Sequence, residues 1–421
     1  MVWSKVLTVQ KYLLAALVLR LLIAPFTYHD DVVTNYWWGK FALDFPLRGY
    51  YDWLNFGGYV TPDQPPLYVL YYRLIRQCYL FIYQYLWWLN THIPAFPSNF
   101  MQWYFDHGNQ ILQKVPSILA DLGLIIILFK KFPQIINQKI FFIFVLFFPP
   151  LFYNSAVWGG NDIILNLLGL ASLYFLYRKQ IVLSFLFITL CLLFKTSWLI
   201  FLPLYLVMII KAKPKLSSLL ISILLSFFLV FIFSFAFAPV FSYSWLFNLY
   251  LTKILPGAMP QLTANAFNFW ALLYGLTPRL DDVVVFLSFN YRQISMLVSI
   301  FLTLLISINL YRNYNLNQLL LSLVNITLVC FMFMTRMHER YTFPLLIPLL
   351  VLSILAPKFK KYLYLLTFTH ILNVYHWWWV PHIPVLINVL SQVYVVRLVS
   401  LLNLIILLFL LRIQFFHVSK S

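Results

Sequence analysis

The stretch SLLISILLSFFLVFIFSFAF, Ser218–Phe237, decides the fold class, because it runs for 20 residues without a charged side chain. A helix needs roughly 20 apolar residues to cross the hydrocarbon core of a bilayer. Similar runs recur along the 421-residue chain, which is 63% hydrophobic and 10% charged. A soluble fold of this composition would expose large apolar patches. We therefore predict an all-α, polytopic transmembrane helical bundle of about 11–13 helices.

The charge balance is strongly basic, with a formal net charge of +18 at pH 7. In a soluble protein this would suggest a nucleic-acid partner. Here the cations cluster in short segments between apolar runs, as they do in the cytoplasmic loops of membrane proteins. We predict a multi-pass protein of a prokaryotic cytoplasmic membrane, with no nucleic-acid partner. The segments that mark its inner side are Lys130–Lys131, Arg178–Lys179, Lys211–Lys215 and Lys358–Lys361.

The whole chain, residues 1–421, is predicted to form one integral membrane domain. A helix from about Val9 to Ala24 has no small-residue cleavage site after it and is expected to be a retained anchor. The first extracytoplasmic loop, residues 27–65, is aromatic and apolar, which favours short amphipathic helices along the membrane surface.

Two candidate spans, residues 67–89 and 111–129, follow this loop. Two full crossings would place Lys130–Lys131 outside, against the positive-inside rule. Either one of these spans does not cross, or a third crossing is hidden. Arg73 and Arg76 make the first span the weaker candidate.

Polar residues gather in the segments predicted to lie outside. Ionisable groups at the ends of helices in so apolar a chain are costly to hold there and are often functional. The three cysteines show no metal-binding or disulfide spacing, and no metal or other cofactor is expected. The candidate site residues are Asp30, Asp31, Tyr36, Trp37, Trp38, Asp63, Gln64, Asn161, Asp162, Lys195, Asn265, Asn268, Arg336, His338, Glu339 and Arg340.

These residue types suit group transfer from a lipid phosphate to a hydroxyl. A carboxylate can act as a general base that deprotonates an attacking hydroxyl. Arg, His and Lys can hold a phosphate and stabilise the charge that develops on it as it leaves. Asp30 and Asp31 are adjacent in a chain with 11 acidic residues, which makes them the candidates for the base.

Each motif also has a structural interpretation. The two aspartates could start a helix, WGGND could be a turn, and QPPLY a helix start. MHERY could be a solvated boundary in which Glu339 pairs with His338 or Arg340. Lys195 could snorkel, and NAFNFW could be interfacial packing.

Seven segments in order resemble the GT-C superfamily of integral membrane glycosyltransferases. They look closest to bacterial and archaeal mannosyltransferase-like proteins related to the GPI-anchor mannosyltransferases. Gln64 stands where the family usually has Tyr, and Gly160 where it has Gln. The segments are HDDVVTNYWW, GYYDW, DQPPLYVLYY, AVWGGNDIILNLLGLASLY, FKTSWLIFLPL, ANAFNFWALLYG and TRMHERYTFPLLIPLL.

The resemblance implies an inverting transfer of a hexose from a polyprenyl- or dolichyl-phosphate donor, and mannose is the expected hexose. The acceptor would be a hydroxyl of a glycolipid, glycan or protein on the extracytoplasmic face. In the family an acidic base is followed seven positions later by Trp. Asp31 with Trp38 matches this spacing, as does Asp30 with Trp37, and Val32 favours Asp31.

The remaining residues receive roles by the same resemblance. Arg340, Arg336, His338 and Lys195 would hold the donor phosphate, with Glu339 orienting Arg or His. Tyr36, Trp37 and Trp38 would pack on sugar or lipid. Asp63, Gln64, Asn161, Asp162, Asn265 and Asn268 would support the site.

Three alternatives stay open. A transporter or flippase would need charged groups at mid-membrane and paired broken helices. A transferase using a nucleotide sugar on the cytoplasmic side would need a soluble nucleotide-binding domain. A non-catalytic homologue is the third.

Overall fold

The computed structural model describes residues 2–53, 61–240, 242–256 and 259–416, and the side chains from residue 9 onward. Nearly all regular structure in these residues is helical. The α-helices, numbered in chain order, are α1 (Val2–Ile23), α2 (Asp30–Asp44), α3 (Pro66–His92), α4 (Asn99–Lys131), α5 (Lys139–Leu146), α6 (Pro149–Phe152), α7 (Asp162–Tyr177), α8 (Ile181–Phe194), α9 (Leu202–Ala212), α10 (Leu216–Ser234), α11 (Tyr243–Leu249), α12 (Phe269–Tyr274), α13 (Tyr291–Arg312), α14 (Leu316–Phe333), α15 (Phe343–Leu355), α16 (Lys360–Trp378), α17 (Pro384–Leu390) and α18 (Val393–Phe416).

Shorter elements complete the described structure. A π-helix, Tyr153–Trp158, follows α6, and a second, Tyr250–Ile254, follows α11. A short antiparallel pair, Val284–Phe286 with Phe289–Asn290, precedes α13.

Six helical segments in the described ranges are long and apolar enough to cross a membrane. This confirms the coarse prediction of an all-α, multi-pass membrane protein. Shorter apolar helices accompany them, including α8 and α15. The six segments are Asn99–Lys131, Lys139–Trp158, Leu216–Phe237, Tyr291–Arg312, Leu316–Phe333 and Val393–Phe416.

The uncertain region after the first loop contains two helices, α3 and α4. The connection between them, residues 93–98, has no room for a third crossing. Of the two, α4 is one of the six candidate spans and α3 is not. This favours the interpretation that the segment with Arg73 and Arg76 does not make a full apolar crossing.

The chain divides into two compact units. The first comprises Met1–Ser172, Val182–Thr196 and Leu220–Leu255. The second comprises Leu173–Ile181, Ser197–Leu219 and Pro256–Ser421.

In the first unit, α2 confirms the predicted helix in the first loop. Its buried residues recur at helical spacing, at Val32, Asn35, Trp38–Gly39 and Ala42, so one face is buried. That face lies on α3, where the Asn35 amide donates to the Tyr72 hydroxyl at 3.0 Å. A Cβ at Gly39 would lie 2.4 Å from the backbone oxygen of Tyr72. Residues 54–60 of the predicted loop lie outside the described residues.

In the second unit, α14 is the central helix, with every residue from Gln318 to Met332 buried. It packs on α13, α15 and α18. Polar side chains cross the contact with α18, where the Asn325 amide donates to Gln414 Oε1 at 2.5 Å. The Gln414 amide in turn donates to the Ser322 hydroxyl at 2.7 Å.

Replacing Gly39 by alanine should destabilise the first unit, because the new methyl group would collide with α3 backbone. Overpacking of this kind costs about 1–3 kcal/mol. Gly123→Ala on α4 is the matched control, since no atom lies within 4 Å of a Cβ there and alanine is the better helix former by about 1 kcal/mol. Thermal unfolding of the detergent-solubilised variants, followed by circular dichroism, measures both. Equal melting temperatures for Gly39→Ala and wild type would contradict the close α2–α3 packing.

Candidate functional site

The adjacent aspartates occupy the first turn of α2, as the helix-start interpretation predicts. The N-cap is neither of them: His29 precedes the helix, and its Nδ1 accepts the backbone N–H of Asp31 at 3.1 Å. The general preference of helix N-termini for acidic groups accounts for both carboxylates. Asp30 is exposed, whereas Asp31 is partly covered, with 37% of its side chain accessible.

Trp158 and His29 position Asp31 through different atoms. The indole Nε1–H of Trp158 donates to Asp31 Oδ2 at 3.1 Å. His29 acts on the backbone, because its Nδ1 accepts the Asp31 N–H; the same Nδ1 lies 3.4 Å from Oδ1. The His29 ring stacks on Trp158 with a centroid separation of 4.0 Å, and its backbone N–H donates to the Trp158 carbonyl at 2.9 Å. The HDD and WGGND motifs are therefore in direct contact.

The WGGND motif is a turn, as its structural interpretation predicts, and both glycines are needed. Gly159 ends the π-helix with φ of 89°, in the left-handed region, and a Cβ there would lie 2.5 Å from Val32 Cγ2. A Cβ on Gly160 would lie 2.6 Å from the Asn154 amide nitrogen. Gly159 thus lets the turn approach the start of α2, and Gly160 leaves room for the Asn154 side chain.

Lys114, in α4, joins the two segments that carry this site. It is fully buried, and buried ammonium groups need hydrogen-bond partners. Its Nζ lies within hydrogen-bond distance of four backbone oxygens on the two segments, more than its three N–H groups can bond at once. They are Ala24 at 3.1 Å and Thr27 before α2, and Ala156 at 2.8 Å and Val157 at 3.2 Å before Trp158. Sequence analysis missed Lys114, which lies within an apolar run, and missed the roles of His29 and Trp158.

Asp162 and Lys195 form an ion pair in the first unit. The Lys195 ammonium lies 2.9 Å from Asp162 Oδ1, and the Asn154 amide donates to Oδ2 at 3.0 Å. Both ionic side chains are about nine-tenths buried, with 12% and 11% accessible. The Lys195 side chain therefore ends at a defined carboxylate partner and does not merely extend towards the membrane surface.

Asn161 belongs to a neighbouring amide–tyrosine group. Its amide donates to the Tyr72 hydroxyl at 2.9 Å, the same hydroxyl that Asn35 contacts from α2. Asp63 and Gln64 lie at the start of α3, where the Gln64 amide donates to Asp63 Oδ1 at 2.9 Å. The QPPLY motif does start a helix, with α3 beginning at Pro66.

The aromatic residues proposed to contact sugar or lipid point in two directions. Tyr36 and Trp37 line a cleft of about 410 Å³ between α2, α3 and α4. Trp38 is 4% exposed and packs edge-on against Tyr68. Tyr36 and Trp37 are therefore placed to contact a ligand, whereas Trp38 is part of the packing.

In the second unit, Arg336 is held by an acid that sequence analysis missed. Its Nε and Nη2 donate to Asp281 at 2.7 and 2.9 Å, and Nη1 donates to the Pro256 carbonyl at 2.5 Å. Thr335 Oγ1 also donates to Asp281, at 2.9 Å. Burial alone would raise the pKa of Asp281, but the hydrogen bonds from Arg336 and Thr335 outweigh it and hold that pKa below its usual value.

Glu339 pairs with both predicted neighbours. Arg340 Nη1 lies 2.8 Å from Glu339 Oε1, and His338 Nδ1 lies 3.7 Å from Oε2. Glu339 is 1% exposed, which would raise its pKa, but His338 and Arg340 together lower the pKa below its usual value. The carboxylate is therefore suited to orienting these two side chains, and the predicted internal pairing is present.

The NAFNFW motif lies beside MHERY. The Ala264 N–H donates to the Met337 carbonyl at 2.9 Å, and Asn265 forms a backbone bridge with His338. Asn268 is fully buried and caps α12, its Oδ1 accepting the N–H groups of Trp270 and Ala271 at 3.1 Å each. Asn268 therefore stabilises the fold of this segment.

No protein-family model and no curated protein matches the chain. Among the described residues, no group of three or more His, Cys, Asp or Glu side chains is placed to hold a metal ion.

The Asp281 contact predicts a pH-dependent stability. Because its pKa is lowered in the folded protein, the stabilisation is fully present above the ordinary Asp value of about 4 and is lost as pH falls through the lowered pKa. Asp281→Asn should remove about 1.5–3 kcal/mol at neutral pH, the range for hydrogen bonds to charged groups. It should also flatten the fall in melting temperature between neutral pH and pH 3. Asp282→Asn is the control, because this exposed neighbour acts on Arg336 only through its charge, and it should change the profile much less. A wild-type profile in Asp281→Asn would show that the contact does not stabilise the protein.

Proposed function

We propose that the protein is an inverting, GT-C type glycosyltransferase of about 11–13 membrane spans. It would transfer a hexose, with mannose as the preferred candidate, from a polyprenyl- or dolichyl-phosphate donor to an acceptor hydroxyl at the extracytoplasmic face. The observation that carries the proposal is the Asp31 carboxylate, which accepts a hydrogen bond from the Trp158 indole while more than a third of the side chain stays accessible. A fixed, accessible carboxylate suits a general base.

The proposed reaction is a single displacement. The acceptor oxygen attacks the anomeric carbon as Asp31 takes its proton, and the bond from that carbon to the phosphate oxygen breaks. Attack opposite the leaving group inverts the anomeric centre. The released lipid phosphate keeps the electron pair of the broken bond, and cationic side chains stabilise its charge.

The cations divide by their contacts. Arg340 and His338 lie beside the Glu339 carboxylate, which fits side chains oriented for a phosphate. Lys195 is oriented in the same way by Asp162. Arg336 commits Nε, Nη1 and Nη2 to Asp281 and Pro256. In the proposal Arg336 therefore holds the MHERY segment in shape. Arg340 and His338 are the candidate phosphate ligands of the second unit, and Lys195 is that of the first.

The base assignment is tested by comparing Asp31→Asn with Asp30→Asn. Purified protein is assayed with polyprenyl-phosphate mannose, glucose and arabinose as donors. Asp31→Asn should lower kcat by about 10²–10⁴-fold, the usual contribution of general base catalysis. Asp30→Asn, at an exposed position in the same helical turn, should stay within a few fold of wild type. Wild-type turnover in both variants would show that neither aspartate is the base.

A transporter or flippase is the second candidate, because an acid and a base are buried together inside the helices, one of them in a candidate span. Asp121 is fully buried in the candidate span α4, and its Oδ2 lies 3.9 Å from Arg20 Nε. The Ser155 hydroxyl also donates to Asp121. Charged groups inside membrane segments often mark transport paths.

Liposomes that contain the purified protein and the lipid-linked sugars separate the two candidates. For a transferase, Asp121→Asn should reduce stability more than turnover, and a glycosylated product should form. Translocation of the lipid-linked sugar without any product, abolished by Asp121→Asn, would favour the transporter.

A further inference from the structure

The cleft beside α2 has the features of a binding site. It lies wholly within the first unit, between α2, α3 and α4. Its volume of about 410 Å³ is within the range of roughly 300–1,000 Å³ that is typical of small-molecule sites. We name it the first-loop cleft.

Aromatic side chains form much of its wall. Tyr36 and Trp37 come from α2, Tyr79 and Tyr83 from α3, and Phe105 from α4. Flat aromatic faces can cover the apolar C–H face of a sugar ring while leaving its hydroxyls at the edge free for polar groups. A purely apolar ligand would fit these walls as well, so the polar groups decide between the two.

Arg76 is the cationic group of the cleft. Its guanidinium carbon lies 5.0 Å from the ring centre of Tyr36 and 4.7 Å from that of Tyr79. These two cation–π contacts fix the plane of the side chain. In the part of the chain that the structure describes, Arg76 Nε is buried without a hydrogen-bond partner.

Amides from α4 complete the polar lining. Gln113 is 2% exposed, and its Nε2 donates to the Val32 carbonyl at 3.1 Å and to Asn109 Oδ1 at 2.7 Å. These bonds fix the amide and leave Gln113 Oε1 buried without a partner among the described residues. A ligand that both donates and accepts hydrogen bonds would match this lining, as hydroxyl groups do.

The charges of the cleft balance. Asp106, which the Gln102 amide contacts at 3.0 Å, lines the same cleft as Arg76. An anion would meet the Asp106 carboxylate, and a cation would meet Arg76. A neutral ligand with several hydroxyls is favoured over a phosphate, because it can bond to both charged groups without repulsion.

We propose that the first-loop cleft binds a neutral sugar ring and is the site of the sugar acceptor. The first part stands on the cleft alone, and the assignment as acceptor rests on the proposed function. Val32 and Val33, which line the cleft, directly follow Asp31 in α2. A glycan or the sugar headgroup of a glycolipid would therefore be the acceptor class, in preference to a protein hydroxyl.

Binding is measured by calorimetry on the full-length protein in detergent, with no donor present. The probes are the methyl glycosides of mannose, glucose and galactose, with inorganic phosphate as the charged comparison. At least one methyl glycoside should bind saturably, and phosphate should not compete with it. Saturable binding of phosphate with none of the glycosides would overturn the proposal.

Two matched pairs of variants locate the bound sugar. Trp37→Ala should weaken glycoside binding about tenfold, the upper range for one aromatic contact, whereas Trp103→Ala, at an exposed α4 position outside the lining, should not. Arg76→Lys keeps the charge but loses the planar fork, and should also weaken binding. Arg73→Lys, on α3 outside the lining, is its control. Equal affinity in Trp37→Ala, Arg76→Lys and wild type would place the sugar elsewhere and overturn the proposal.

Transfer assays distinguish failure of this proposal from failure of the proposed function. Glycoside binding that survives in Asp31→Asn, with transfer lost, supports both. Glycoside binding without transfer from any lipid-phosphate donor would keep the sugar site and overturn the acceptor assignment. Transfer by a protein in which Trp37→Ala and Arg76→Lys leave the acceptor KM unchanged would overturn the cleft as the acceptor site.

Discussion

The site in the first unit depends on the hydrogen bonds that the side-chain amino group of Lys114 makes. This amino group bonds to backbone oxygens of two chain segments far apart in sequence, before α2 and before Trp158. A buried amino group has lost its water shell, so it stabilises the structure only while these oxygens surround it. The stacked His29 and Trp158 rings, and through them Asp31, are positioned by the same two segments. One side chain outside the motifs thus connects them.

The two units show the same arrangement of charge. In each unit, a buried carboxylate orients a cationic side chain near a short irregular segment. The pairs are Asp162 with Lys195 in the first unit and Glu339 with Arg340 in the second. Each acid also has a second partner, Asn154 for Asp162 and His338 for Glu339. Such anchoring limits the rotamers of a long cationic side chain, so less entropy is lost when it binds an anion.

Much of the fold could be predicted from the sequence, because the length of an apolar run and the charge of a loop can be read from neighbouring residues alone. The membrane-spanning character, the helix after QPPLY, the helix that begins at the two aspartates and the pairing of Glu339 all follow from local patterns. Lys114 and Asp281 could not be found in this way. Lys114 resembles a snorkelling residue in an apolar run, and Asp281 resembles a solvated loop acid. Their partners are backbone oxygens and a distant arginine, which leave no periodic signal in the sequence.

The π-helix at Tyr153–Trp158 gives the site a dependence on chain length. A π-turn holds one more residue than an α-turn, and each residue of an α-helix advances the side-chain direction by about 100°. The loss of a single residue between Phe148 and Trp158 would leave the hydropathy profile almost unchanged. It would nevertheless rotate the indole away from His29 and Asp31. The direction of the Trp158 side chain, and with it the site, therefore depends on the number of residues in this short segment. Proteins with the same hydropathy profile need not have the same site.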